Sequence, residues 1–145
     1  MLKAAVSLAI CSVLASGCDS PPPQNGSQGE PQLRLLGMLY GNYLAKHGGK
    51  APANEDQWLK FLESQGRQLK SHGIENVESL LTSPRDGKKL VVLYGNKIVN
   101  DGPGGLPWVA YEQTSAAGNR YAIGARGVAQ EMNPEQFSEV FGNGD

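Results

Sequence analysis

The feature of this 145-residue sequence that most constrains its fold is a change in hydrophobic spacing at Ser83-Pro84. Before this point, large apolar residues recur every three or four positions, the spacing that lines one face of a helix. After it, they occur in short runs rich in β-branched and aromatic residues, which are typical of strands. A helical half followed by an extended half predicts an α+β domain, with a long helix packed on an antiparallel sheet.

The helical half contains three predicted helices. The first and longest, over residues 32–46, ends at His47-Gly48-Gly49, because glycine adopts the left-handed conformation that terminates helices. The second is predicted to begin after the cap residue Asn54 and to end at Gly66. The third is a short helical turn over residues 74–81.

The extended half predicts a three- or four-stranded antiparallel sheet and a closing helix. The segments with strand composition are separated by turn residues, and they are residues 90–94, 107–112, 120–125 and 128–132. Asn133-Pro134 then combines a cap residue with proline at the first helical position, and Gln136 completes a capping box. A short C-terminal helix through Phe141 is expected.

The N-terminal residues predict export. Lys3 precedes an apolar run over residues 4–14, and small residues follow it, which is the layout of a secretory signal peptide. The run is shorter than the roughly 18–20 residues that a spanning helix needs. Residues 19–31 contain four prolines and no large apolar side chain. They are predicted to be a disordered tether, because they bury too little surface to offset the entropy of ordering.

The sequence Leu14-Ala15-Ser16-Gly17-Cys18 resembles the lipobox of bacterial lipoproteins, with alanine at a position where that family more often has leucine. The resemblance implies that Cys18 becomes an acylated N-terminal residue, held by its lipid in the inner or outer membrane of the cell envelope. The residues alone leave open an ordinary cleaved signal in which Cys18 has no role. The predicted organisation is a signal peptide over 1–17, a lipidated cysteine with its tether over 18–31, and one α+β domain over 32–145.

Composition excludes several classes of function. Cys11 is expected to leave with the signal peptide, and the lipobox resemblance implies that Cys18 is acylated, so the predicted domain has no thiol for a disulfide, a metal site or catalysis. The formal net charge is −1 and the basic residues are scattered, so a nucleic-acid partner is not expected. The sequence has no Walker loop, no Gly-x-Ser-x-Gly motif and no His-x-x-x-His spacing. We therefore expect no enzyme activity, no cofactor and no metal.

Several short motifs lie between residues 33 and 140; they are Leu36–Tyr43, His47–Pro52, Trp58-Leu59, Ser83–Gly87, Val109–Glu112 and Asn119–Tyr121. Together they are similar to the globular part of type IV pilin-like and type II secretion pseudopilin-like proteins, and to small planctomycete lipoproteins. In place of that family's prepilin site and apolar assembly helix, this sequence has a lipobox and a proline-rich tether. The resemblance implies a pilin-type head freed from the filament. The calcium site of some pseudopilins is not carried over, since Asp86 and Asp101 fit turns.

Few side chains in the predicted domain are candidates for acid–base catalysis or for ligand binding. His47 lies in the last turn of a predicted helix, where a polar residue interacts favourably with the helix dipole. Glu112 would act as a general acid or base only if it were buried in a pocket. On a strand of alternating residues, we expect it to face solvent or to pair with Arg120 across a hairpin.

Two functions agree with the sequence. The first is a non-catalytic, membrane-anchored module of the cell envelope that acts through contacts with other envelope proteins, in organisation, secretion or assembly. The alternative is a module that binds a small ligand or a polysaccharide through Trp108, Tyr111 and Tyr94 on an exposed sheet face. We expect these rings to be buried, and Trp58 to be a core residue rather than a ligand platform, which favours the first function.

Overall fold

A computed structural model describes residues 30–114 and 118–142, and within them the chain forms an α+β fold, as predicted. The helices are α1 (Glu30–Lys46), α2 (Glu55–Ser64), α3 (Gly66–Ser71), α4 (Val77–Leu80) and α5 (Pro134–Phe141). The strands are β1 (Val91–Val92), β2 (Trp108–Tyr111), β3 (Arg120–Gly124) and β4 (Val128–Met132). They form one antiparallel sheet in the order β1-β2-β3-β4. Cys18, the signal peptide and residues 18–29 of the predicted tether lie outside the described residues.

Helix α1 is confirmed and begins at Glu30, so the last two residues of the predicted tether are helical. Glu30 accepts a hydrogen bond of 2.9 Å from Nε of Arg34, one turn along the helix. Its carboxylate also lies in the first turn, where the helix dipole favours negative charge. The Gln32 side-chain amide donates to the carbonyl oxygens of Ser79 and Thr82, each at 2.7 Å, and so ties the start of α1 to the region of α4.

Asparagine caps set the starts of the later helices. Asn54 Oδ1 accepts from the amide of Gln57 at 3.0 Å, which confirms the predicted start of α2. The prediction that Gly66 ends this helix is wrong, because α2 ends at Ser64 and Gly66 begins α3. The third predicted helix, over 74–81, is reduced to α4, whose first turn is capped by Asn76.

The sheet follows the predicted order, with one strand much shorter than expected. Only Val91–Val92 of the predicted strand 90–94 form β1. The amide of Leu90 donates to Leu81 at 2.7 Å instead of joining the sheet, whereas that of Leu93 donates to Val109 in β2 at 2.8 Å. Strand β4 has the predicted bounds. Helix α5 carries the predicted capping box, in which Asn133 and Gln136 each accept a hydrogen bond from the other's amide.

The sheet separates two apolar clusters. Helix α1 packs on one face, where Leu36, Tyr40 and Ile123 belong to the larger core. Helix α5 covers part of the other face, and its Phe137 packs with Trp108. A register irregularity in β2 between Trp108 and Ala110 lets consecutive residues, Val109 and Ala110, both join the core on the α1 side.

Two glycines allow α1 to contact the turn between β3 and β4 directly. A Cβ atom added at Gly37 would lie 2.3 Å from the carbonyl oxygen of Gly124, and one added at Gly41 would lie 2.9 Å from the amide of Arg126. Arg126 and Gly127 in this turn both have positive φ, of 64° and 86°. Arg126 is the one non-glycine residue with positive φ in the described ranges. The packing of α1 on the sheet therefore depends on the absence of side chains at two positions of the helix.

Replacing Gly37 by alanine is expected to lower the free energy of unfolding by about 3 kcal/mol, because the new methyl group meets a backbone carbonyl that cannot rotate away. Gly66→Ala is the matched control, since nothing lies within 4 Å of its Cβ position and its φ is not in the positive range. This variant is expected to be as stable as the wild type or up to about 1 kcal/mol more stable. Urea unfolding of both variants is the measurement, and equal stability of the two would contradict the close packing.

Candidate functional site

The most unusual side chain in the described part of the chain is Glu112, a glutamate with 1% of its surface exposed. The expectation that it faces solvent or pairs with Arg120 is wrong. Glu112 directly follows β2, and its amide donates to the carbonyl of Tyr121 at 3.0 Å. Because side chains alternate along a strand, Tyr111 lies on the α5 side of the sheet and Glu112 on the α1 side, with Tyr121.

Both carboxylate oxygens of Glu112 have partners. The Ser83 hydroxyl donates to Oε1 at 2.7 Å, and the backbone amide of Tyr121 donates to Oε2 at 2.8 Å. Nε of Arg85 lies 3.4 Å from Oε1, an ion-pair distance at which the N–H is not placed for a hydrogen bond. A buried charge costs several kcal/mol unless it is paired and hydrogen-bonded, and this carboxylate is both.

The Arg85 guanidinium connects Glu112 to the edge strand β4, on the same face of the sheet. Nη1 donates to Glu131 in β4 at 2.8 Å, and Nη2 donates to the carbonyl of Asn119 at 2.8 Å. The guanidinium also lies 4.9 Å from the centre of the Tyr121 ring, in cation–π geometry. Burial acts to lower the pKa of Arg85, but the hydrogen bond to Glu131 and the charges of Glu112 and Glu131 raise it overall. Ser83, Arg85, Glu112, Tyr121 and Glu131 form the Glu112 cluster.

The turn at residues 83–87 positions the first two members of this cluster. Its ends are joined by hydrogen bonds from the Ser83 amide to the carbonyl of Lys88 at 2.7 Å and from the Gly87 amide to the carbonyl of Ser83 at 2.9 Å. Gly87 has a φ of 69°, which glycine adopts without strain. Asp86 forms part of the turn, as predicted. The hydrogen bonds that it accepts from the Thr114 hydroxyl and from the Lys88 amide lower the pKa of its carboxyl.

The geometry of the Glu112 cluster supports a role in stabilising the fold. Ser83 and Glu112 are 3% and 1% exposed, so a solute has almost no access to either group. The Ser83 hydroxyl donates to the carboxylate and also accepts from the Arg85 amide at 3.1 Å. Its proton and one of its two lone pairs are therefore engaged. The cluster joins one turn to the ends of three strands, which is the contribution that its geometry supports.

His47 is engaged by the end of α1. His47 Nδ1 lies 2.8 Å from the carbonyl oxygen of Tyr43, and its ring stacks on the Tyr43 ring with centroids 3.9 Å apart. It therefore stabilises the end of α1, as the sequence predicted. Within residues 30–114 and 118–142, no group of three or more histidine, cysteine, aspartate and glutamate side chains is arranged to hold a metal ion.

The three aromatic residues named as ligand contacts do not share one exposed face. Trp108 is 2% exposed and belongs to the cluster beneath α5. Tyr111 is half-buried in the same place, with its ring 5.1 Å from that of Phe137. Tyr94 is half-buried and packs against the core on the α1 side, where burial raises the pKa of its hydroxyl to about 12. Trp58 is fully buried, as expected of a core residue.

The pairing of Arg85 with Glu112 was not predicted from the sequence. The two residues are far apart along the chain, and only the register of the β2–β3 hairpin shows that Glu112 faces the core. The sequence feature that could have indicated the burial of Glu112 is its position at the end of the β2–β3 hairpin. If the hairpin register is drawn so that Glu112 lies opposite Tyr121, the carboxylate falls beside a large aromatic ring. A carboxylate buried there needs a cation as its partner.

Comparison with known proteins gives no relative from which a function can be transferred. No family model, no curated protein and no solved structure matches the chain. Within the part of the chain that the structure describes, no helix has both the length and the apolar character needed to cross a membrane.

Substituting Glu112 by glutamine is expected to destabilise the protein by about 3 kcal/mol, because it keeps the shape of the side chain but leaves the guanidinium of Arg85 without its buried counter-charge. Glu131→Gln is the control, since it removes a carboxylate from the same arginine at a site where 44% of the side chain is exposed. Its expected cost is below about 1 kcal/mol. Chemical denaturation measures both, and a larger cost for the Glu131 variant would refute the structural role of Glu112.

Proposed function

We propose that this protein is a lipid-anchored, non-catalytic module of the cell envelope that acts through contacts with other envelope proteins. The observation that carries the proposal is the lipobox-like sequence Leu14-Ala15-Ser16-Gly17-Cys18, which follows a positively charged residue and an apolar run. Several acyl chains on Cys18 would attach the protein firmly, since each buried methylene contributes about 0.8 kcal/mol.

The length of the segment between Cys18 and α1 would allow the folded domain to lie at a distance from the bilayer. Helix α1 begins at Glu30, so residues 19–29 separate the proposed lipid from the folded domain. At 3.3–3.6 Å per residue, this segment reaches at most about 40 Å. Such a reach suits a module that contacts proteins near the membrane surface.

The arrangement of the head supports a pilin-like relationship. A long N-terminal helix packed on one face of an antiparallel sheet is the layout expected from the similarity to pilin-like and pseudopilin-like proteins. With a lipid anchor and a tether in place of the assembly helix, such a head would bind other proteins from a fixed point on the membrane. Envelope organisation, secretion or assembly are the processes that this arrangement fits.

The contacts of the buried polar residues support a role without catalysis. The carboxylate of Glu112, the strongest candidate for a general acid or base, has both oxygens engaged by Ser83 and Tyr121. The alternative function, binding of a ligand or polysaccharide by Trp108, Tyr111 and Tyr94, is less favoured. These rings lie in two separate clusters, and the largest of them is buried.

Replacing Cys18 by serine is expected to move the protein out of the membrane fraction, because serine has no sulfur to carry the diacylglycerol. Cell fractionation and mass spectrometry of the mature N-terminus are the measurements. The wild type is expected to be in the membrane fraction and to carry acyl chains on Cys18. Cys11→Ser is the matched control, since this cysteine lies in the proposed signal peptide, and its localisation should equal that of the wild type.

The proposal fails if the Cys18→Ser variant remains with the envelope to the same extent as the wild type and the native protein carries no acyl group. Loss of membrane attachment in the Cys11→Ser variant as well would mean that both substitutions disturb export, and would contradict a specific role for Cys18.

A further inference from the structure

A groove lies between α2, α4 and the chain that follows α4. Its volume is about 540 Å³, within the range of about 300–1,000 Å³ typical of ligand sites. The floor consists of three aliphatic side chains, Leu59 from α2, Val77 from α4 and Leu81, which directly follows α4. Leu59 and Val77 are each half-buried, so the groove leaves part of their apolar surface in contact with water.

The rim of this groove is acidic. Glu55 and Glu63 lie on the same face of α2 as Leu59, at intervals of four residues, and Glu78 borders the groove from α4. Lys89 is the one basic residue in the lining, and it already forms an ion pair with Glu55. Among the described residues, the carboxylates of Glu63 and Glu78 have no cation as a partner.

We propose that this groove docks a segment of a partner protein in which an aliphatic side chain is flanked by lysine or arginine. The proposal rests on the proposed function and names the chemistry of the partner. The aliphatic side chain would cover Leu59 and Val77, and the flanking cations would face Glu63 and Glu78. The negative rim disfavours nucleic acid and anionic lipid headgroups, because like charges repel.

The floor and the rim contribute to binding in different ways. Burial of the apolar floor supplies affinity, at roughly 25 cal/mol per Å² of apolar surface removed from water. The rim carboxylates are exposed, so they orient the segment and speed its association more than they add affinity. Their effect is screened over about 8–10 Å at physiological ionic strength, so binding weakens as salt is added.

The test uses a fluorescein-labelled peptide, Lys-Leu-Lys-Lys-Leu-Lys, titrated with the full-length lipoprotein in neutral detergent micelles and followed by fluorescence anisotropy. Empty micelles and a peptide with glutamate in place of each lysine are the blanks. The basic peptide is expected to bind and the acidic one is not. The double variant Glu63→Gln/Glu78→Gln is expected to weaken binding about five- to tenfold, as for the loss of two exposed ion pairs.

Two further variants separate docking from a general loss of charge or fold. Lys89→Gln frees Glu55 and makes the rim more negative, so it is expected to tighten binding about two- to threefold. A gain of affinity is not an outcome of a damaged fold. Glu135→Gln/Glu139→Gln removes two exposed carboxylates on α5 and should leave binding unchanged.

The proposal is overturned if the basic peptide does not bind, or if the α5 variant weakens binding as much as the groove variant does. These results are independent of fractionation of the Cys18→Ser variant, so failure of the groove is distinguishable from failure of the membrane anchor.

Discussion

The structure depends on one buried charge at the end of β2. The carboxylate of Glu112 accepts from Ser83 before the sheet and from the amide of Tyr121 in β3, while Arg85 extends the contact to Glu131 in β4. Removing the Ser83 hydroxyl or the Arg85 guanidinium would leave the buried carboxylate of Glu112 without one of its partners in a dry environment. The cluster therefore fixes the turn at residues 83–87 against the hairpin, at the point where the helical half of the chain meets the extended half.

A small domain with no thiol in its described residues has few means of fixing a unique structure, and this head uses two. Close approach of α1 to the β3–β4 turn, through Gly37 and Gly41, sets the position of the helix. The Glu112 cluster sets the position of the turn that precedes the sheet. Both oxygens of the buried Glu112 carboxylate are engaged by hydrogen bonds within the fold. We propose that function comes from a lipid on Cys18 and from docking of a partner in the acidic groove.

Local signals predicted most of the fold, and long-range pairing accounts for what was missed. The caps at Asn54 and Asn133 and the bounds of β4 depend on neighbouring residues, so the sequence was sufficient. Strand β1 begins one residue later than its composition suggested, because Leu90 bonds to the chain at the end of α4. The site was missed for a similar reason, since Arg85 and Glu112 meet only through hairpin register, and alternation alone cannot say which face is buried.

Amide hydrogen exchange at Tyr121 tests most directly whether the carboxylate of Glu112 is closed to water in the folded protein. This amide donates to the carboxylate of Glu112 at a distance of 2.8 Å. If the cluster is closed, the amide exchanges only when the whole domain unfolds, with the same free energy as the amides of the core. Rapid exchange at Tyr121, while neighbouring amides of β3 remain protected, would show that water and solutes reach the carboxylate, and would contradict the account.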